Sequence, residues 1–221
     1  MNHSQFDLYN DIHKAIRSML FDFAALAGRS NFDEEKVLSE VQASFEFLAG
    51  VIVEHTHHET TFVHPLIAAL TSESVSKLDS EHEEHAAELV SLGRELAALS
   101  ATTADVVRLG NDFYHRFCKW TGEFLIHMNE EETVIMPALQ AAHSDEELIA
   151  VSVQLRAAIE PERMGMYLSK MIPAINGAEC TAMFQGMKMG APPEVFEGTL
   201  QLAERVLTRP AFARLSGSLA H

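Results

Sequence analysis

The chain has 221 residues, 12 of them histidine, and a formal net charge of -16. This length can bury a sizeable core in one large domain, or in one domain with an extension. Only 16 Lys and Arg residues stand against 32 Asp and Glu, so we expect no nucleic-acid partner, because phosphate binding needs clustered basic residues. Mean hydropathy is +0.00, and no apolar run approaches the ~18 to 20 residues of a transmembrane helix, so we expect no membrane partner.

The first residues, MNHSQFDLYND, contain neither a basic region nor an apolar stretch of the kind found in secretory signals. We therefore expect a cytoplasmic protein. Cys118 and Cys180 are far apart and belong to no CxxC motif. Reduced thiols are expected, rather than a disulfide framework or a thiolate zinc site.

Apolar residues recur at three- and four-residue spacing along almost the whole chain, and no segment alternates with period two, so the predicted fold is all-α. Four long helices are predicted, over residues 5–27, 34–64, 73–99 and 104–142. Short links between them favour antiparallel neighbours. The predicted domain 1–143 is therefore an up-down-up-down four-helix bundle.

The remaining residues, 144–221, are predicted to form a helical extension packed on the bundle. Ser144 and Glu147 make a capping box that begins a fifth helix, and Pro161 stands where a first-turn proline begins a sixth. Pro173 and Gly177 then separate shorter helices.

The strongest motif is an internal repeat with a constant offset of 72 residues. Each copy reads H-x-x-x-E-x-x-x-x-x-P, and the copies pair His55 with His127, Glu59 with Glu131, and Pro65 with Pro137. The same offset pairs His13 with His85. Each half thus has one histidine on its first helix and an H-x-x-x-E on its second, where residues four apart share a face.

These histidines and glutamates lie within apolar seams, the stripes of apolar residues at three- and four-residue spacing that should face the core. Burying an ionised side chain there without a partner costs several kcal/mol. A lone seam histidine is more often a core residue, but the repeat constrains the set jointly and favours metal. Imidazole and carboxylate without thiolate suit iron or manganese better than structural zinc. Paired carboxylates suggest that two ions are bridged. The predicted metal ligands are His13, His55, Glu59, His82, His85, His127 and Glu131.

Whether His82 is a ligand stays open, because the seam favours it whereas the repeat selects His85. His57, His58 and His64 have no histidine counterpart 72 residues later, so we expect them around the ligands or on the surface. Glu81 and Glu130 are expected on charged helix faces. Tyr9 lies four residues before His13. It could approach the metals, or it could be a hydrogen-bonding core residue.

The sequence resembles the hemerythrin-like, or HHE cation-binding, family. The resemblance rests on His13 and on three segments: HTHHETTFVHPLI from His55, SEHEEHAAEL, and HMNEEETVIMPAL from His127. The resemblance covers most of residues 5–142. It implies that His13, His55, His85 and His127 are terminal iron ligands and that Glu59 and Glu131 bridge. Unlike the oxygen carriers of the family, this chain has H-x-x-H on the third helix and ends its fourth-helix motif with glutamate.

The expected function is therefore that of a non-haem di-iron protein that binds O2 or a related small oxidant as carrier, sensor or buffer. One alternative is a di-iron enzyme acting on peroxide, NO or ferrous iron, and another is a helical interaction module with a structural metal. The expected cofactor is a pair of Fe ions with an oxo or hydroxo bridge, with Mn or Zn as possible replacements. A small diatomic or peroxide ligand is expected, whereas the sequence does not identify catalytic residues or a protein partner.

Overall fold

The structure is a computed structural model that describes residues 5–70 and 72–220. These residues contain α- and π-helix but no strand, which confirms the all-α prediction. The α-helices, labelled α1 to α11 in chain order, are Asn10–Arg29, Glu35–His58, His64–Ala68, Ser72–Ala97, Val106–Glu130, Met136–Ala142, Asp145–Ala157, Pro161–Ala174, Gly177–Gly190, Pro193–Val206 and Arg209–Leu219. Within these described residues, no helix has both the length and the apolar character needed to cross a membrane.

Two of the predicted long helices each contain a single π-helical turn. The first, π1, spans Glu59–Val63 between α2 and α3, and the second, π2, spans Glu131–Ile135 between α5 and α6. The proline of each repeat follows two residues after its π turn. Proline has no N–H to donate, and its ring presses on the carbonyl four residues earlier, so a widened turn before it relieves the clash. The repeated motif therefore encodes a repeated backbone irregularity.

The described residues divide into two compact units. The first combines Ile16–Leu155 with the residues up to Tyr9. Aromatic rings from three helices meet in it: Phe23 of α1 lies 5.6 Å from Phe45 of α2 and 4.6 Å from Phe117 of α5, between ring centroids. Helix α4 completes this core with leucines at three- and four-residue spacing, all buried: Leu89, Leu92 and Leu96.

A second apolar cluster in the same unit surrounds the two π turns. It joins Val63 and Ile135, the last residues of the π turns, to Leu78 of α4 and Leu148 of α7. The unit therefore continues beyond residue 143, where the sequence analysis ends the bundle, and includes α7 up to Leu155. The predicted Ser144–Glu147 capping box is confirmed, because each backbone N–H donates to the other side chain.

The other unit consists of Asn10–Ala15 and the chain from Arg156 onward. Its core contains Ile172, Cys180, Phe184, Ala203 and Leu215 from helices α8 to α11. Pro161 is the first residue of α8, as predicted. Pro173, expected between helices, instead lies inside the last turn of α8.

Candidate metal centre

Each π turn begins at a buried glutamate that follows its histidine by one helical turn. Glu59 is 3% exposed and Glu131 is 0% exposed, and the histidines before them, His55 and His127, are 5% and 3% exposed. The Nε2 atom of His55 lies 3.1 Å from Oε1 of Glu59. In the second copy the matching Nε2 to Oε1 distance, from His127 to Glu131, is 3.3 Å. The repeat thus places two equivalent His–Glu pairs in the interior.

Helix α4 places His82 between these pairs. Its Nε2 lies 2.9 Å from Nε2 of His127, 3.5 Å from Oε2 of Glu59 and 3.7 Å from Oε1 of Glu131. Two donors ~2.1 Å from one ion are roughly 3 Å apart at a right angle and roughly 4 Å apart when opposite. The observed separations fall in or near that range. The donor spacing therefore fits metal coordination.

Two of the imidazoles are oriented by partners on their other ring nitrogen. Nδ1 of His127 is 2.9 Å from Oε2 of Glu81, which can only accept when ionised. Nδ1 of His82 is 3.3 Å from Oγ1 of Thr60, whose own hydroxyl donates to the Thr56 carbonyl. An acceptor at Nδ1 keeps the proton there and leaves the Nε2 lone pair for a metal, which is how outer partners orient metal-bound histidines.

His64, at the start of α3, belongs to the same interior cluster. It is 3% exposed, so the surface alternative of the sequence analysis is wrong for this residue. Its ring stacks on that of His82 with centroids 5.0 Å apart. Nδ1 of His64 lies 2.7 Å from Oδ1 of Asp79.

Within the first unit, one buried group of three donors could hold a metal ion. It consists of His64, His82 and Glu131, whose donor atoms lie within 4.8 Å of one another, and all three side chains are buried. His127 is close to this group through His82 and Glu131. His13, a predicted ligand, is also buried but belongs to the other unit.

This group does not include His85. This residue is half-buried, and its ring meets those of Phe124, His127 and Trp120 at centroid distances of 5.4, 5.4 and 6.3 Å. The Trp120 indole N–H donates to the His85 carbonyl at 3.1 Å. Burial lowers the pKa of His85, and the charge of His127 adds to that effect.

Charge inside the cluster is partly compensated by the imidazoles. Burial and the charge of Glu59 raise the pKa of Glu131, but hydrogen bonds from His127 and His82 outweigh them and leave it below its ordinary value. Burial lowers the pKa of His127, but the carboxylates, led by Glu131 and then Glu81, raise it to about 9. The pKa of Tyr9 is well above its ordinary value, because of burial first and then the charges of Glu131 and Glu59.

Sequence reasoning did not identify Asp79 or Glu81 as part of the site, and it left His64 open between a position around the ligands and one on the surface. Glu81 was expected on a charged helix face, yet its carboxylate accepts from His127. The available signal for His64 was its position directly before the repeat's proline. Glu130, also expected on a charged face, forms an ion pair with Lys77 of α4.

Comparisons with protein families, with curated proteins and with solved structures found no match for this chain. The function is therefore inferred from the chemistry of the site. Its donors are imidazoles and carboxylates with no cysteine, so metal binding fits the residues present.

Proposed function

We propose that this chain is a non-haem di-iron protein of the hemerythrin-like class, an up-down-up-down four-helix bundle that binds O2 or a related small oxidant. The observation that carries the proposal is the convergence of buried imidazole and carboxylate donors in the first unit. Glu131, His82 and His127 are at most 6% exposed, and their donor atoms are 2.9 to 3.7 Å apart. Buried ionisable groups are retained where they are paired or coordinate a metal.

Two features support two ions rather than one. The duplicated His–Glu pairs give two carboxylates, Glu59 and Glu131, that approach the same His82 nitrogen from opposite copies of the repeat. The equivalent pair His55 and Glu59 is also buried, so this unit has buried donors beyond the group of His64, His82 and Glu131. One ion would seldom use so many protein groups, whereas two ions sharing carboxylates would use them all.

The donor types favour iron. Imidazole suits iron, zinc and copper, whereas carboxylate suits harder ions, and a mixture without thiolate is typical of non-haem iron sites. Reduced iron, when bound, would supply a redox-active centre at which a small ligand such as O2, NO or peroxide can bind.

The protein's own residues would hold that centre in a dry, fixed environment. Glu81 and Thr60 keep the Nε2 atoms of His127 and His82 directed inward by accepting from Nδ1. The Phe124 ring stacks on His127 with centroids 5.9 Å apart, and Phe124 is 0% exposed. These contacts limit ring rotation and exclude water from one side of the site.

The test is metal content followed by ligand binding. Protein reconstituted anaerobically with Fe(II) and freed of loose metal should contain about two irons per chain. Glu59→Gln and Glu131→Gln should lower this number, whereas Glu84→Gln, at an exposed position on the same helix as His82, should not. Fewer than one iron per chain in the unaltered protein would overturn the proposal.

Tyr9 favours a second candidate function, in which the same centre consumes peroxide, NO or ferrous iron. Tyr9 is 1% exposed, and burial together with the charges of Glu131 and Glu59 raises its pKa, so its hydroxyl stays protonated. A protonated hydroxyl can donate a hydrogen bond to a ligand that reacts at the centre. Stopped-flow mixing of the reduced protein separates the candidates: reversible binding supports a carrier or sensor, and consumption that slows in Tyr9→Phe at unchanged iron content supports an enzyme.

A further inference from the structure

We propose that His64 is a metal ligand, and that it takes the place which the sequence repeat assigns to His85. This inference rests on the proposed di-metal centre and names one of its ligands. The resulting donor set for one metal position is His64, His82, His127 and Glu131.

The first evidence is the buried nitrogen of His64. The residue is 3% exposed, and its Nε2 has no hydrogen-bond partner among residues 5–70 and 72–220. A buried polar atom without a partner has lost its hydrogen bonds to water and gained none, so native structures rarely retain one without a role. His64, His82 and Glu131 each have one donor atom that lies within 4.8 Å of the donor atoms of the other two.

The second evidence is the partner at the opposite ring nitrogen. Oδ1 of Asp79 lies 2.7 Å from Nδ1 of His64. A carboxylate oxygen in this position accepts a hydrogen bond from the Nδ1–H of His64. That bond selects the tautomer whose Nε2 carries a lone pair, which is the form that binds a metal.

The same arrangement recurs at all three imidazoles around Glu131. His127 has Glu81, His82 has Thr60, and His64 has Asp79 at Nδ1. Two of these residues are already predicted ligands. Because His64 shares their burial, their tautomer control and their proximity to Glu131, it fits the same chemical role.

His85 lacks these features. It is half-buried, lies outside that donor group, and meets edge-on the rings of Trp120 and Phe124, which stack on each other within α5. The repeat predicts it as a ligand because His13 lies 72 residues earlier. The two halves differ again at His64, because the matching residue in the second copy is Met136, whose sulfur accepts the Leu8 backbone N–H at 3.4 Å. The duplication is therefore broken at His64 and at His85.

The test compares His64→Gln with the matched control His85→Gln, using Co(II) alone as a spectroscopic probe of the metal-free full chain. Unaltered protein should bind two Co(II) per chain. His64→Gln should retain one tight ion and weaken the other by more than the 10- to 100-fold typical of losing an outer partner. Asp79→Asn should weaken that same ion by about 10- to 100-fold. His85→Gln should leave both affinities within about threefold.

His64→Leu, compared by circular dichroism in the metal-free state, provides a variant that cannot form a new hydrogen bond. A folded His64→Leu protein with the same loss of one ion supports the inference. Two tightly bound ions in both His64 variants, or loss of one ion in His85→Gln alone, would overturn the His64 assignment while leaving the di-metal proposal in place. Absence of Co(II) binding by the unaltered protein would overturn both.

Discussion

The metal-free protein should lose stability as the pH rises from neutral to alkaline, because of His127. Its pKa is raised from 6.5 to about 9 in the folded chain, mainly by Glu131 and Glu81 acting against burial. Between these values the folded state binds a proton that the unfolded state has released. Stability from this group is thus fully present below pH 6.5 and is lost as the pH rises through about 9.

The size of this effect follows from the pKa difference. At ~1.4 kcal/mol per pKa unit, the free energy of unfolding should fall by roughly 3 kcal/mol between pH 6.5 and pH 9. The hydrogen bonds agree with a protonated ring, because Nδ1 of His127 can donate to Glu81 while Nε2 donates to Nε2 of His82 at 2.9 Å. In the metal-free protein this proton occupies the direction in which Nε2 would bind a metal.

Urea unfolding of chelator-treated protein at pH 6, 7, 8 and 9 measures this dependence. The chain's charge of -16 adds general repulsion at high pH, so the informative quantity is the difference between unaltered protein and His127→Gln. His57→Gln, at an exposed position, should keep the original slope. Glu81→Gln should move the loss of stability to lower pH. An identical slope in unaltered protein and His127→Gln would refute the assignment of this proton to His127.

Three further outcomes are expected. Metal binding at pH 7 should release about one proton from His127, which titration calorimetry in buffers of different ionisation enthalpy detects as a slope near one. Gly110→Ala should destabilise the fold by about 1 to 3 kcal/mol in thermal unfolding, because the new Cβ would lie 2.3 Å from the buried Phe32 ring. Pro65→Ala should allow π1 to tighten into a regular helical turn, which would rotate His64 away from the cluster. The affinity for one Co(II) ion should then fall by about tenfold, while the melting temperature stays unchanged or rises.

The helical class and the extents of the long helices could be predicted from the sequence because they depend on local periodicity and end signals. The segment predicted over 34–64 is observed as α2 followed by π1 and α3, and that predicted over 104–142 as α5 followed by π2 and α6. The π turns were not predicted, although Pro65 and Pro137 mark them. A proline inside an apolar seam indicates a backbone adjustment, but periodicity alone does not say whether the helix bends, ends or widens.

Choosing between His82 and His85 needs tertiary information. His82 lies four residues after Leu78 and seven before Leu89, whereas His85 lies seven after and four before, so both fit the same seam. The structure distinguishes them through Trp120, which is 1% exposed and bonds to the His85 carbonyl. His82 instead faces the two glutamates. The spacing of residues along one helix does not predict where a tryptophan of another helix will pack against it.

The donors of the candidate centre therefore have two physical origins. The pairs His55–Glu59 and His127–Glu131 are set within one helix by four-residue spacing, so the sequence could predict them. His82 depends instead on how α4 packs against its neighbours through Leu78 and the leucines that follow. Loosening that packing should misplace the α4 donor while leaving each His–Glu pair intact, because the pairs need only their own helix.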